Sequence, residues 1–355
     1  LILALRPLAH LFFQLMDLPP EQVGLQRTYF DILLYGVILA LLRNCLSCFF
    51  SGIGRTRVVM LSAMVAMLIN IGANYVLIFG RLGFPAFGIR GAAWGTLTGS
   101  LCALLVLLAA YLARGNRREY RVLSALRFDR RVMATLLRYG SPAGVEMFLN
   151  LLAFTTMILI FHGHGPVTAT AVTIVFNWDL VSFVPLLGIQ IGVVSLVGRY
   201  VGAGRPDTAE NATRSGLKMA CAYSLGILLL FVSLPGELVS VFEPGHADAV
   251  FSRATPLATT MLRLAAFYVL ADAVILVYSG ALRGAGDTFW AMCASVALHW
   301  LLVPALFLFL RVLELPPQSA WLVLIAFLLC FSGLFYLRYR SGKWKTLAVV
   351  RDGRA

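Results

Sequence analysis

Nine long apolar runs follow one another along this chain, at about 27–51, 57–80, 88–112, 136–161, 167–197, 211–234, 254–281, 288–311 and 316–339. Each is long enough to cross roughly 30 Å of hydrocarbon at about 1.5 Å per residue. The runs are continuous and lack period-two alternation, so they read as helices and not as barrel strands. Only 13% of the 355 residues are charged and the mean hydropathy is +0.86. Soluble domains carry about 25% charged residues, so there is too little polar surface here for a soluble fold. Disordered chains are polar and poor in aliphatics, which excludes that class as well. The expected fold class is an all-α polytopic membrane protein. A shorter apolar stub covers about 1–13. The chain opens inside it, at Leu1-Ile2-Leu3-Ala4, which reads as a processed or incomplete N-terminus.

The net charge of +13 comes from 29 Lys and Arg against 16 Asp and Glu. Most of the basic residues fall after the first, third, fifth and seventh runs and in the C-terminal tail. Examples are Arg55 and Arg57, the series from Arg114 to Arg138, Arg199 to Lys218, and Arg338 to Arg354. The other side carries only Arg6, Arg27, Arg81, Arg90, Arg253 and Arg311, and Arg43 and Arg263 lie within runs. This asymmetry places the first group in the cytoplasm. The excess therefore orients the chain in a bilayer, and the Arg-rich stretch 113–138 is expected on anionic headgroups. Without a basic domain to carry it, nucleic-acid binding is not expected.

The stretch 113–135 is also the one long linker, and the sequence repeats on either side of it. Phe50-Ser51-Gly52-Ile53-Gly54-Arg55-Thr56 matches Leu282-Arg283-Gly284-Ala285-Gly286-Asp287-Thr288. Both copies close one run and open the next. Leu5-Arg6-Pro7-Leu8-Ala9 echoes Ser233-Leu234-Pro235-Gly236-Glu237 in the same way. Internal repeats are a transporter signature. The division expected is residues 1–112 as the remainder of an N-terminal lobe, 113–135 as a basic cytoplasmic linker, 136–339 as a six-helix C-terminal lobe and 340–355 as a basic cytoplasmic tail. The second copy has three full runs upstream where the first has only the stub. By that register about 90 to 100 N-terminal residues are missing, equivalent to two helices and most of a third.

Charged groups at membrane depth are costly and mark functional sites by default. Asp31, Glu146, Asp179 and Asp272 qualify, although Asp31 lies close enough to a run's end for an interfacial role. Tyr268, Asp272 and Ser279 share one helical face. Glu146 and Asn150 share another, on the fourth run. Asp179, Ser182 and Gln190 line a face of the fifth, with Thr173 and Asn177 on a different one. Two readings stand side by side. One is interhelical hydrogen bonding, or an ion pair to Arg43 or Arg263. The other is a cation or proton site, since a lone carboxylate in low dielectric can exchange between protonated, ion-bound and substrate-paired states. Pro185, followed by Gly188 and Gly192, interrupts the fifth run and is a candidate hinge. Pro142 is expected in a first helical turn, where proline is tolerated.

Other motifs carry less. Cys45-x-x-Cys48 has redox or metal spacing but no second pair and no nearby His; all six cysteines lie in apolar runs and are expected as small core filler. Gly202-Ala203-Gly204 follows a membrane helix and so fails the context of a dinucleotide loop. His162-x-His164 lacks a third ligand. There is no hydrolase triad and no nucleotide-binding loop, so neither an enzyme nor a cofactor is expected.

Several segments resemble the multidrug and toxic compound extrusion (MATE) family. Asn70 to Gly80 is similar to its N-x-x-x-N-Y-x-L-I-F-G segment, and Gly83 to Ala93 to the G-x-P-x-x-G-x-x-G-A-A that follows. Val197-Gly198 to Gly202-Ala203-Gly204-Arg205 resembles V-G-x-x-x-G-A-G, and Leu282 to Thr288 resembles L-R-G-x-G-D-T. The resemblance implies a two-lobed helical bundle of the twelve-helix type, on which the nine runs are helices four to twelve. It implies a monomeric inner-membrane antiporter that exports small organic cations in exchange for Na+ or H+ by alternating access. Coupled relatives use an Asp ten residues before L-R-G, which is the position of Asp272, a possible Na+ site. They also use a Glu eight residues after the proline of P-x-G. Here that position is Asn150, and the nearest acid is Glu146, one turn earlier. Asp179, Asn177, Tyr268 and Gln190 are the expected cavity neighbours. A lipid-linked polysaccharide flippase of the same superfamily and a non-transporting membrane receptor or scaffold remain the alternatives.

Overall fold

A computed structural model describes residues 6–7, 10–11, 20–122 and 128–347. Most of the apolar stub, the middle of the linker and the end of the basic tail lie outside the described residues. Nine helices among the described residues are long and apolar enough to cross a membrane, and the chain is an all-α polytopic membrane protein. They are α1 (Pro20–Gly52), α2 (Thr56–Phe79), α3 (Ile89–Leu112), α5 (Arg130–His162), α6 (Pro166–Gly202), α7 (Pro206–Ser233), α9 (Ala249–Gly284), α10 (Thr288–Phe307) and α11 (Pro317–Arg340). Two short helices, α4 (Arg114–Glu119) and α8 (Pro235–Ser240), join them. A π-helical turn, Leu308–Val312, extends α10, and a 3-10 turn, Lys343–Thr346, follows α11.

Local chemistry sets the helix ends. Asp129 and Asp248 cap α5 and α9, each carboxylate accepting from two backbone N–H groups of the first turn. Pro166, Pro206, Pro235 and Pro317 sit at the first turns of α6, α7, α8 and α11, where a missing N–H costs nothing. One correction follows from the Asp129 cap. Helix α5 begins at Arg130, well before the apolar run, because its charged first turns are helical too. Pro142 therefore lies inside the helix and not in its first turn.

The chain divides into two compact units, residues 1–128 and 129–355. In the first, α3 packs against both α2 and α1. Gly91, Gly95 and Gly99 form the seam with α2. A Cβ at Gly91 would strike the Leu77 carbonyl, one at Gly95 the Asn74 side chain, and one at Gly99 would stand 2.8 Å from the Ala66 carbonyl. Polar side chains bond along the same seam, Asn74 Nδ2 donating to Asn70 Oδ1 and Asn70 Nδ2 to Thr96 Oγ1.

In the second unit α9 is the central helix. In its most apolar stretch 61% of the residues are buried, against 22–33% for the other spans of that unit. It packs most extensively on α6, then on α7 and α11, while α5 packs mainly on α10. Gly280 and Gly284 let α9 approach α6 closely; a Cβ at Gly284 would stand 2.6 Å from the Val194 carbonyl. Large side chains such as Met147, Phe148 and Phe267 face outward, as suits a lipid solvent.

The cysteines are also corrected. Cys45, Cys48, Cys293 and Cys330 are exposed, and Cys102 and Cys221 are only half-buried. Cys221 packs against the core of its unit, and the four exposed cysteines are not core filler, because a small apolar side chain meets lipid as readily as protein.

Candidate functional site

The α6–α9 crossing brings acids from two helices together. Asp179 lies mid-way along α6, and Asp272 lies one turn after Tyr268 on α9. Asp179 and Asp272 interact electrostatically, and Tyr268 interacts with both. Among the described residues neither carboxylate has a cation partner; every ion pair there involves other acids. Asp179 Oδ1 and Tyr268 Oη are buried, and the two side chains lie beside each other with no other hydrogen-bond partner for these atoms among the described residues. The site therefore holds two neighbouring carboxylates, unspent acceptor capacity and a phenol, with no resident positive charge. Such a group attracts a cation or protons.

Tyr268 is 2% exposed and leans on Trp321 of α11, ring centroids 6.4 Å apart. Phe161 and Phe176 meet the same indole. Nothing in the apolar run 316–339 sets Trp321 apart from its other aromatics; only the packing of α5, α6, α9 and α11 gathers this wall.

The remaining expected residues fall elsewhere. Glu146 is buried and accepts from Arg283 Nη2 at 2.6 Å, an ion pair joining α5 to the end of α9. Its partner is thus neither Arg43 nor Arg263. The apolar run ends at 281, but α9 continues to Gly284 and carries Arg283 in its last turn. Asn150, one turn along, donates to Ser295 Oγ of α10 at 2.7 Å. Gln190 donates to Ser279 Oγ at 2.8 Å, a buried bond within the α6–α9 seam. Asn177 lies on an exposed face of α6 and donates back to the Thr173 carbonyl. Helix α6 runs through Pro185, which is exposed. In the first unit, Asp31 pairs with Arg6 at 2.7 Å and with His10 at 3.0 Å. No group of three or more His, Cys, Asp or Glu side chains that could hold a metal occurs among the described residues.

Comparison with known proteins agrees with this architecture. A probable multidrug resistance protein NorM of Thermotoga maritima is 26% identical over 359 residues, covering 100% of this chain and 75% of that protein. Multidrug resistance protein PmpM of Pseudomonas aeruginosa is 27% identical over 287 residues, covering 81% of this chain and 59% of that protein. A solved multidrug resistance MATE family transporter of the MOP superfamily, in an outward-facing conformation, superposes with a TM-score of 0.84 at 19% identity. That match covers 98% of this chain and 76% of the other. A MOP superfamily transporter from Pyrococcus furiosus gives 0.86 at 18% identity with the same coverage. At these identities the structures attest the fold alone. The family model described as MatE matches residues 1–76 and 142–308, more than half of the sequence, and the chain therefore belongs to the MatE family of transporters, not to a family of enzymes.

Proposed function

We propose that this chain works as a secondary antiporter that exports small organic cations, drugs among them, in exchange for Na+ or H+. The observation that carries the reading is the pair Asp179 and Asp272, which interact electrostatically across two packed helices, neither being paired to a basic side chain among the described residues. Two adjacent buried carboxylates repel each other, so the first cation or proton to bind relieves that repulsion and leaves less to be gained by a second; the coupling ion and an organic cation then compete for the pair. Mutual exclusion at one site, exposed alternately to the two sides of the membrane, is antiport. Tyr268 and the aromatic wall behind it offer π faces to an organic cation. Glu146 enters as a neighbour already paired to Arg283, and Asn150 as a hydrogen-bonded contact to α10. The names of the NorM and PmpM relatives supply the drug class. The asymmetry of basic residues supports an inner-membrane orientation with residues 113–135 and the C-terminus in the cytoplasm, and a monomer suffices for this scheme.

Ethidium efflux from proteoliposomes under an imposed Na+ or H+ gradient tests the reading. The Asp272→Asn variant is expected to lose gradient-driven efflux while still inserting and folding. Wild-type-like efflux by that variant would remove Asp272 from the coupling role.

A further inference from the structure

A polar cavity lies in the 129–355 unit at the C-terminal end of α9, where its lining residue Tyr278 stands six residues beyond Asp272. It has a volume of about 420 Å3 and is framed by the first turns of α7, the last turns of α9 and α11, and the 3-10 turn after α11. That size falls within the roughly 300–1,000 Å3 of small-molecule sites. Its walls combine cations with aromatic rings. Arg214, Arg340 and Lys345 line it together with Tyr278, Tyr336 and Tyr339, and Glu210 is the single acid among the lining residues.

The internal contacts of the cavity decide what charge it accepts. Glu210 is saturated: Arg214 donates to one of its oxygens at 2.7 Å and Lys345 to the other at 2.6 Å. The carboxylate thereby positions two cations at the cavity wall; the exposed Asp207 stands 4.0 Å from Lys345, and with Arg340 the three cations still outnumber the two acids. Arg340 is exposed and has no ion-pair partner among the described residues. The rings are not free to cage an organic cation. Tyr339 stacks on Trp344 at 5.0 Å, and Lys345 Nζ already sits 5.6 Å from the Trp344 ring centre. Tyr339 Oη, in contrast, is a buried hydroxyl beside that of Thr213 on the cavity wall, and it can turn its proton to an anion's oxygen. An aromatic and basic cluster at the ends of spanning helices matches the chemistry of the membrane interface.

We propose that this cavity binds the phosphate of an anionic phospholipid headgroup. Arg340 supplies the free charge, Arg214 and Lys345 the fixed positive wall, and Tyr339 a hydroxyl donor. Such a lipid would tie together the ends of α7, α9 and α11, one of which carries Asp272.

The test is lipid binding by the full chain, delipidated in detergent and followed by native mass spectrometry. The probes are phosphatidylglycerol, phosphatidylcholine, and sn-glycerol 3-phosphate as a source of phosphate without acyl chains. Phosphatidylglycerol is expected to bind at least about tenfold more tightly than phosphatidylcholine. Arg340→Gln should remove most of that preference, and Arg340→Lys should restore part of it. Arg340 is exposed and has no ion-pair partner among the described residues, so its replacement has no fold to break; Arg253→Gln, at the opposite end of α9, should leave the preference unchanged. Equal affinity for the two lipids, or a preference that survives Arg340→Gln, would overturn the proposal. Displacement of the lipid by equimolar sn-glycerol 3-phosphate would overturn the lipid source.

Discussion

The turn after α1 and the turn after α9 have the same backbone and opposite charge. In the first, Ile53, Gly54 and Arg55 N–H groups donate to the carbonyls of Phe49, Ser51 and Phe50, and Gly54 has φ 77°. In the second, Ala285, Gly286 and Asp287 donate to Ala281, Arg283 and Leu282, and Gly286 has φ 93°. Phe50 and Leu282, at equivalent positions, are both fully buried. The next equivalent pair differs in sign. Arg55 reaches the short helix α4, where it donates to Asn116 and, at 2.9 Å, to Glu119. Asp287 instead accepts from Arg338 Nε on the spanning helix α11 at 2.8 Å. The repeat thus holds the hydrogen-bond pattern and the left-handed glycine fixed, and leaves the sign of the charge to whichever element packs nearby. The same pattern recurs at Ala203-Gly204-Arg205 after α6, with Gly204 at φ 68°, so α1, α6 and α9 end in the same way.

The largest contrast between the two copies is expected at Gly52 and Gly284. Nothing lies within 4 Å of a Cβ at Gly52, whereas one at Gly284 meets the α6 backbone. Gly284→Ala should cost about 3 kcal/mol through overpacking, and Gly52→Ala should be tolerated. Thermal melts of the two variants in detergent check this, and equal losses would break the comparison. A smaller difference is expected at the charged pair. The Asp287–Arg338 pair is mostly buried, with side chains 9% and 20% exposed, while Arg55 and Glu119 are 45% and 52% exposed. Asp287→Asn should cost about 2 kcal/mol and Arg55→Gln no more than about 1 kcal/mol, read from the same melts. The smallest effect should also be the most alike in the two copies. Gly54→Ala and Gly286→Ala each place a Cβ in the left-handed region and should each cost about 1 kcal/mol. Unequal costs would mean that the two turns share a trace without sharing its strain.

Much of the fold was legible because lipid writes itself into sequence. Continuous apolar runs named all nine spans, and the Gly54 and Gly286 signatures named the repeat. Helix ends were harder, since a charged turn such as Arg130-Arg131 can be helical outside the bilayer. That blind spot hid Arg283 as the partner of Glu146. The candidate site was legible only in part. Periodicity put Tyr268 and Asp272 on one face, but no pattern within one helix reveals that Asp179 of α6 stands opposite. Gly280 and Gly284, spaced one turn apart, were the available signal for that close crossing. Helical period also could not separate Gln190, spent on Ser279 within the seam, from Asp179, which meets Tyr268 of α9.

The account turns on Asp179 and Asp272 acting as one cation site. The direct measurement is ethidium binding to the purified protein, followed by fluorescence while Na+ or H+ concentration is raised. Competition by one of these ions is expected in the wild type. Asp179→Asn should abolish it, and Glu146→Gln should preserve it. Undiminished competition in Asp179→Asn would contradict the shared site.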